Sequence, residues 1–298
     1  MVQKGQKWLS VVVLAATLGI SGCGGDDGTG TGTPASAVPS IAADAALAAM
    51  VPDAIKADGK ILAGTEATYA PNEFLDVDGK TVIGFDVDLF RAVAAKLGLT
   101  AEFQPGTFGD IIPGVSSGKY EIGVSSITIN PERKEQALMV SYFEAGSQFA
   151  VKKDNPNNVN IDDLCGKKLA VQRDTVQVGD LTKRSEACVA AGKQAITIDQ
   201  YPGQDQAANA VVSGKNDAML ADSPVSAYAV KQSGGQLELL GEVFEAAPYG
   251  YVVSKDQQAF ADAVMAAVNA LIKDGQYAEV LKAWGVDQGS ISESKINP

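Results

Sequence analysis

Residues 117–126 read SGKYEIGVSS, and residues 213–222 read SGKNDAMLAD. In both stretches a helix end and a glycine turn lead through an acidic residue into an apolar strand with a polar end. Ligands of open α/β sheets bind beyond the carboxyl ends of the strands. The repeat therefore predicts that Ser126 and Asp222 hold equivalent ligand-facing positions in two halves of the fold. A ten-residue similarity can also arise by chance, so the repeat alone leaves this interpretation open.

Segments with strand character alternate with helical ones around this repeat. Such alternation indicates an α/β protein with mostly parallel sheets that are covered on both faces. The apolar spacing predicts a first strand at Lys60–Thr65 and helices at Phe85–Leu97, Asp110–Ser117, Gln257–Lys273 and Gln276–Trp284.

Two β-rich segments, Gln148–Lys153 and Tyr249–Lys255, flank the middle third of the chain, and each ends in a turn. We expect them to cross side by side between two lobes. Lobe 1 is then discontinuous, with residues 58–149 and 253–298, and lobe 2 comprises residues 150–252. A hinge of two strands suits a protein that closes on a ligand.

The N-terminus has the pattern of an export signal. Two lysines precede an apolar run, Trp8–Ile20, that is too short to span a bilayer as a helix, so residues 1–22 are expected to be a signal peptide. The ISGC spacing that ends in Cys23 resembles the bacterial lipobox, which makes Cys23 the expected lipidation site. A plain secretory signal with a chance cysteine is the alternative. Residues 23–57 begin with a run rich in glycine and threonine and are expected to be a flexible tether.

Charge and composition exclude several classes of function. The chain carries 24 basic and 36 acidic side chains and no histidine. Removal of residues 1–22 would leave 22 basic against 36 acidic side chains, a net charge of −14. A surface of this sign argues against nucleic acid as a partner. The lack of histidine excludes Ser-His-Asp and Cys-His catalysis and imidazole acid/base chemistry.

The three cysteines are explained if Cys23 carries a lipid. Cys165 and Cys188 then remain, and in an oxidising compartment we expect them to form a disulfide. Two separate buried thiols are the alternative. Two cysteines without histidine do not suffice for a zinc site, and we expect no cofactor.

Three motifs carry a family resemblance: GTEATYAP at residues 64–71, GFDVDL at 84–89 and ITINPER at 127–133. Their order and spacing resemble the bacterial extracellular solute-binding proteins of family 3, the amino-acid receptors of ABC importers. The resemblance covers nearly the whole mature chain. It implies a type II periplasmic-binding-protein fold, an α/β architecture of two Rossmann-like lobes joined by a two-strand hinge.

A free amino acid is a zwitterion, so its site needs donors for a carboxylate and acceptors for an ammonium. Arg133 follows the helix start Asn130-Pro131, and its planar fork can bind a carboxylate bidentately. A solvated arginine at a helix start is the alternative. The family pattern also places the positions of Ser126 and Thr128 at this carboxylate.

Asp222 ends an apolar strand and precedes Ser223-Pro224, where an aspartate also suits a helix N-cap. The family pattern has an aspartate here for the ammonium group of the ligand. The same pattern places Thr175 at the ligand carboxylate from the second lobe. Asp174 replaces the usual glycine before it, which puts that backbone contact in doubt because the turn needs positive φ.

Tyr69 and Phe108 match family positions whose aromatic rings flank the ligand side chain, although both could be ordinary core residues. Glu66 matches a position that often meets the distal group of the ligand and would favour a cationic or amide side chain. An exposed carboxylate at a strand end is the alternative for Glu66. Compared with the family pattern, Asn72 is inserted between Pro71 and Glu73. We therefore expect the loop near Tyr69 to differ in shape from that of relatives.

These observations predict a lipid-anchored, monomeric, non-enzymatic protein on the outer face of a bacterial cell membrane. It would capture a polar or basic L-amino acid and deliver it to the permease subunits of an ABC importer. An enzyme on the same fold, similar to cyclohexadienyl dehydratase, is the alternative, with Glu66 as the one suspected acid. A sensor lobe fused to a membrane kinase is a further alternative, which the lack of a later apolar run disfavours.

Overall fold

The structure is a computed structural model and describes residues 40–298. The predictions of a signal peptide and of lipidation at Cys23 fall on residues 1–39 and therefore lie outside the described residues.

Strands and helices alternate along the described chain. The strands are β1 (Lys60–Thr65), β2 (Thr68–Tyr69), β3 (Glu73–Leu75), β4 (Val82–Ile83), β5 (Thr100–Pro105), β6 (Ile122–Gly123), β7 (Leu138–Lys152), β8 (Lys168–Gln172), β9 (Thr197–Tyr201), β10 (Ala218–Asp222) and β11 (Leu237–Val253). The helices are α1 (Ala45–Met50), α2 (Asp53–Lys56), α3 (Phe85–Lys96), α4 (Ile111–Ser116), α5 (Pro131–Gln136), α6 (Val176–Ala190), α7 (Gln204–Val212), α8 (Ser223–Gln232), α9 (Gln258–Lys273) and α10 (Gln276–Trp284).

The end of the expected tether is folded. Helices α1 and α2 lie within residues 23–57, and Val51 between them and Ile55 of α2 are buried in the largest hydrophobic cluster. Asp44 caps α1 by accepting hydrogen bonds from the first backbone N–H groups of the helix. The apolar side chains of this stretch thus give it a packing face, and the folded body begins before residue 58.

An eight-stranded sheet organises the body in the order β5-β1-β6-β11-β7-β10-β8-β9. Strands β5, β1 and β6 are parallel at one end, and β10, β8 and β9 are parallel at the other. Between them β11 and β7 form an antiparallel ribbon. The predicted α/β class and its parallel strands are confirmed at both ends of the sheet.

The two copies of the sequence repeat have the same local fold. The first runs from the end of α4 into β6, and the second runs from the end of α7 into β10. Ser126 follows β6, and Asp222 is the last residue of β10. Each copy therefore delivers its polar end to the carboxyl end of a parallel strand, as the repeat predicts.

The ribbon of β7 and β11 is longer than the two crossing segments predicted from the sequence. The strands have 15 and 17 residues, and Gln148–Lys153 and Tyr249–Lys255 overlap only one end of each. Their register shifts between Leu240 and Phe244 and again between Phe244 and Ala247. Such irregularities bend a ribbon, and they lie where the chain passes from one end of the sheet to the other.

Hydrophobic residues form separate clusters on the two sides of this ribbon. The largest cluster draws on residues 51–145 and 249–286, and includes Phe85, Phe90 and Tyr251. A second cluster draws on residues 149–220 and includes Phe149, Leu169 and Leu181. The second cluster contains Cys188, which forms a disulfide with the partly buried Cys165 at its edge, as expected. Within residues 40–298, every helix is too short or too polar to cross a membrane.

Candidate ligand-binding site

The carboxyl ends of β6 and β10 meet at one small cavity. All of the predicted ligand residues except Glu66 line it. The lining also contains three residues that the sequence interpretation did not name. The full lining is Tyr69, Phe108, Ser126, Thr128, Arg133, Gln172, Thr175, Val176, Gln177 and Asp222.

Arg133 is held in place by backbone carbonyls from both sides of the cavity. Its Nη1 donates to the carbonyl of Thr128 at 3.0 Å, and its Nη2 donates to the carbonyl of Asp174 at 3.3 Å. The guanidinium lies over the ring of Phe108, 5.4 Å from the ring centroid. These bonds use two of the five N–H groups of a guanidinium, so the others can bind a carboxylate. Burial lowers the pKa of Arg133, and nearby Asp222 opposes that shift.

The local sequence explains the position of Arg133. Asn130 is the N-cap of α5, its side chain accepts a hydrogen bond from the Arg133 N–H at 2.9 Å, and Pro131 occupies the first position of the helix. Arg133 therefore leaves the first turn of α5 on the side that faces Phe108. The predicted helix start is confirmed, and the side chain is partly buried and hydrogen-bonded, unlike a solvated arginine.

Asp222 occupies the N-cap position of α8, but its side chain does not cap that helix. Its Oδ1 accepts a hydrogen bond from Gln177 Nε2 at 2.7 Å, and its Oδ2 accepts one from the Tyr249 hydroxyl at 2.7 Å. Burial raises the pKa of Asp222, and the bonds from Tyr249, Tyr69 and Gln177 oppose that shift. The carboxylate is thus turned toward the cavity, where its remaining lone pairs can accept from a cation.

Ser126 lines the cavity, but its donors point into the protein. Its backbone N–H donates to Asp86 Oδ2 at 2.9 Å, and its hydroxyl lies 3.0 Å from Glu73 Oε2 and accepts from Asn72 Nδ2 at 2.8 Å. The residue has a φ of 50°. In this arrangement Ser126 does not offer a ligand carboxylate the hydroxyl or N–H expected of it, because buried carboxyls already take both.

The acids behind Ser126 are fully buried. Burial raises the pKa of Asp86 to about 6 and raises the pKa of Glu73, where the charge of Asp86 adds to the effect. Tyr142 donates a short hydrogen bond to Asp86. Asn72, expected only to alter the loop near Tyr69, is itself buried and ties that loop to Ser126.

Thr175 and the residues after it bring the N-terminus of α6 to the cavity. Thr175 is the N-cap of this 15-residue helix, and its hydroxyl donates to the carbonyl of Gln172 at 2.7 Å. Asp174 adopts a φ of 64°, so aspartate takes the left-handed turn expected of glycine. The first-turn residues Val176 and Gln177 line the cavity, where the helix dipole favours an anion.

Tyr69 connects the two sides of the cavity. It is 5% exposed, and its hydroxyl accepts a hydrogen bond from the backbone N–H of Asp222 at 3.1 Å. Burial and the charge of Asp222 raise the pKa of Tyr69. Phe108 lies opposite, in the short turn before α4, and packs on Arg133. Both rings line the cavity as well as contributing to packing.

Glu66 lies behind the cavity wall. It follows β1, is 5% exposed, and lies near the side chain of Gln172, which does line the cavity. Burial raises the pKa of Glu66, and the hydrogen bonds from Thr68 and the nearby amide of Gln172 oppose that shift. The alternative of an exposed carboxylate is therefore wrong, and Glu66 reaches the cavity through Gln172.

The residues missed by sequence reasoning have weak local signals. Gln177 is marked only by its place two residues after the predicted contact Thr175, and Tyr249 only by its place in a predicted crossing strand. Within residues 40–298, no group of three or more His, Cys, Asp or Glu side chains is arranged to hold a metal ion. The chemistry of the site is that of paired charges and hydrogen bonds.

Comparison with known proteins places this geometry in a family. Residues 61–287 match the bacterial extracellular solute-binding proteins, family 3. The chain is 39% identical over 250 residues to the arginine-binding protein ArgT of Corynebacterium glutamicum, covering 84% of this chain and 82% of that protein. It superposes with a TM-score of 0.70 on an ancestral arginine-binding protein bound to arginine, with 35% identity and coverage of 76% and 98%.

A third similarity bears on the enzyme alternative. An ancestral amino acid-binding protein, described as a precursor of cyclohexadienyl dehydratase, superposes with a TM-score of 0.67 and 34% identity, and covers 78% of this chain and 98% of its own. That relative is itself described as an amino acid-binding protein. These matches show that the chain belongs to the bacterial extracellular solute-binding proteins of family 3.

Proposed function

We propose that this protein binds a free L-amino acid with a cationic side chain, of the arginine type, and presents it to the permease subunits of an ABC importer. One observation carries the proposal: Arg133 of α5 and Asp222 at the end of β10 line the same small cavity. A guanidinium and a carboxylate placed in this way complement the two charges of an amino-acid backbone.

The carboxylate of the ligand would lie against Arg133 and the N-terminus of α6. Arg133 retains N–H groups beyond those that bind Thr128 and Asp174. The first-turn N–H groups of α6, next to Thr175, add donors from the other side. The ammonium of the ligand would lie at Asp222, whose position Gln177 and Tyr249 fix.

The side chain of the ligand would point toward Gln172 and Glu66, between the rings of Tyr69 and Phe108. A buried carboxylate in this direction stabilises a cationic group more than a neutral one of the same shape. Charge selection by Glu66 agrees with the similarity to arginine-binding proteins. Guanidinium also stacks on aromatic rings more favourably than an aliphatic group does.

The two halves of the protein would move as lobes. Lobe 1 comprises residues 58–149 and 253–298, with the N-terminal helices packed on it, and lobe 2 comprises residues 150–252. The separate hydrophobic clusters and the irregular register of the β7–β11 ribbon support this division. A ligand that touches both lobes favours the closed form, because contacts with the second lobe are gained only on closure.

Lipidation at Cys23 would keep this monomeric protein at the outer face of the cell membrane, beside its importer. The ISGC spacing supports anchoring, and the family's extracellular location is consistent with it. The proposal includes no enzymatic activity. The two acids predicted for the site, Asp222 and Glu66, are both tied into hydrogen bonds that suit a fixed ligand contact.

Isothermal titration calorimetry of the chain from residue 24 onward tests the proposal. Arginine, lysine, ornithine, citrulline and glutamine would be titrated at pH 7.5, with glutamate as the control of opposite charge. We expect arginine to bind tightest, citrulline at least tenfold more weakly, and glutamate without measurable heat. Failure of all these amino acids to bind would contradict the proposal, and turnover of prephenate-like acids would favour the enzyme alternative.

A further inference from the structure

Thr68 lies beside the cavity without lining it, and its hydroxyl joins two groups from different parts of the fold. Thr68 Oγ1 donates to Glu66 Oε1 at 2.8 Å, and the Thr68 backbone N–H donates to Glu66 Oε2 at 3.2 Å. The backbone N–H of Gln204 donates to the same Thr68 Oγ1 at 3.1 Å. One hydroxyl therefore bridges an acid after β1 and the first residue of α7.

The bond to Gln204 is a helix cap supplied from outside the helix. Gly203 is the N-cap residue of α7 and has no side chain with which to cap it. A Cβ on Gly203 would lie 2.7 Å from Thr68 Oγ1, so glycine permits the close approach. Thr68 thus satisfies, from lobe 1, a backbone donor at the start of a lobe 2 helix.

The direction of the bonds makes this cap depend on Glu66. A threonine hydroxyl has one proton, and here Glu66 accepts it, which turns the oxygen lone pairs toward Gln204. A charged acceptor strengthens the donor bond and polarises the hydroxyl, so that it accepts more strongly from the next donor.

We propose that Thr68 is a positioning residue that holds the lobes closed by capping α7, and that Glu66 orients its hydroxyl for this role. The inference rests on the proposed function, because it assumes that the lobes close on an amino acid. Thr68 would slow ligand release without touching the ligand. The helix-capping bond would form on closure and break on opening.

Three variants test this role. Thr68→Val keeps the shape and removes the hydroxyl, Thr68→Ser keeps the hydroxyl, and Gly203→Ala places a methyl group against the same contact from α7. The dissociation rate of radiolabelled arginine, chased with unlabelled arginine, is measured for each. Amide hydrogen exchange of the arginine-bound protein is followed at the first turn of α7, and thermal melting of the ligand-free protein is recorded.

We expect Thr68→Val and Gly203→Ala to release arginine at least fivefold faster, about the effect of losing one helix cap. The amide exchange rate at Gln204 should also rise in these two variants. In Thr68→Ser, both the release rate and the exchange rate should stay within twofold of wild type. Wild-type release and exchange in Thr68→Val would overturn the inference. So would a valine effect confined to a lower melting temperature, or a serine variant as fast as the valine variant.

Failure of the proposed function is recognised separately. If wild-type protein binds no amino acid, the proposed function is wrong, and amide exchange at Gln204 is then compared between the ligand-free proteins to test the cap. Equal exchange in wild type and Thr68→Val would then overturn the cap itself. Faster exchange in Thr68→Val than in wild type would support the cap.

Discussion

Gln177 Nε2 donates a hydrogen bond of 2.7 Å to Oδ1 of Asp222, and the same amide nitrogen lies 3.0 Å from Ser147 Oγ. Gln177 belongs to the first turn of α6, and Ser147 belongs to β7. The amide therefore fixes the carboxylate of Asp222 with respect to both a helix and the central ribbon. A carboxylate held in this way can meet a ligand cation without first losing side-chain freedom.

Loss of the Arg133 guanidinium is expected to weaken amino-acid binding most. We expect Arg133→Ala to lower the affinity for arginine at least tenfold, because charge-assisted bonds of this kind contribute about 1.5 to 3 kcal/mol. Calorimetric titration measures the change. Arg173→Ala is the matched control, since Arg173 is half-exposed and lines no part of the cavity, and it should stay within twofold of wild type. Equal affinity in the two variants would contradict the assignment of Arg133 to the binding site.

Neutralising Asp222 tests the ammonium contact without changing its shape. Asp222→Asn should weaken binding at least tenfold, because the amide cannot offset the charge of the ligand ammonium. Asp162→Asn, at an exposed loop acid, serves as the control in the same titration. An affinity of Asp222→Asn within twofold of wild type would contradict the assignment, provided that circular dichroism shows an unchanged fold.

Glu66 is expected to set charge selectivity. Glu66→Gln should reduce the preference for arginine over citrulline, its neutral analogue, at least fivefold, because the buried carboxylate no longer favours the cation. The ratio of the two dissociation constants gives the result. Glu186→Gln, on the exposed face of α6, should leave the ratio unchanged. A wild-type ratio in Glu66→Gln would mean that the side chain of the ligand lies elsewhere.

The buried acid Asp86 makes stability depend on pH. Its pKa rises from 3.8 in the unfolded chain to about 6 in the folded protein. The folded state therefore holds the proton more tightly, and the associated stability is present below pH 3.8 and lost as pH rises through about 6. Asp86→Asn, which cannot ionise, should lose this dependence. Its destabilisation relative to wild type, from urea unfolding, should be smaller at pH 7.5 than at pH 4.5, and the opposite order would contradict the assignment.

The disulfide is expected to stabilise lobe 2. Cys165 and Cys188 are 23 residues apart, and closing a loop of this size contributes about 3 kcal/mol in the chain-entropy model. The double variant Cys165→Ala/Cys188→Ala should lower the free energy of unfolding by about that amount in urea titrations. Treatment of wild type with a reductant should produce a similar loss. Unchanged midpoints in both cases would show that the bridge adds no stability.

Much of the fold follows from local patterns. The strand at Lys60–Thr65 and the helix that begins at Phe85 are where the apolar spacing of the sequence predicts them. The ribbon was predicted only in part. Its length depends on pairing between residues 85 to 115 positions apart in sequence, and no local period records such pairing.

The sequence by itself determined which charged residues meet: the repeat and the ITINPER motif place Arg133 and Asp222 at strand and helix ends that parallel sheets bring together. Tertiary structure alone decided what each side chain does there. It turned Asp222 away from capping α8, committed the donors of Ser126 to Asp86 and Glu73, and buried Glu66 behind Gln172. The reason is physical. The position of a residue along a helix or strand follows from local periodicity, whereas the hydrogen-bond partners of a buried polar group depend on which distant groups the fold brings next to it.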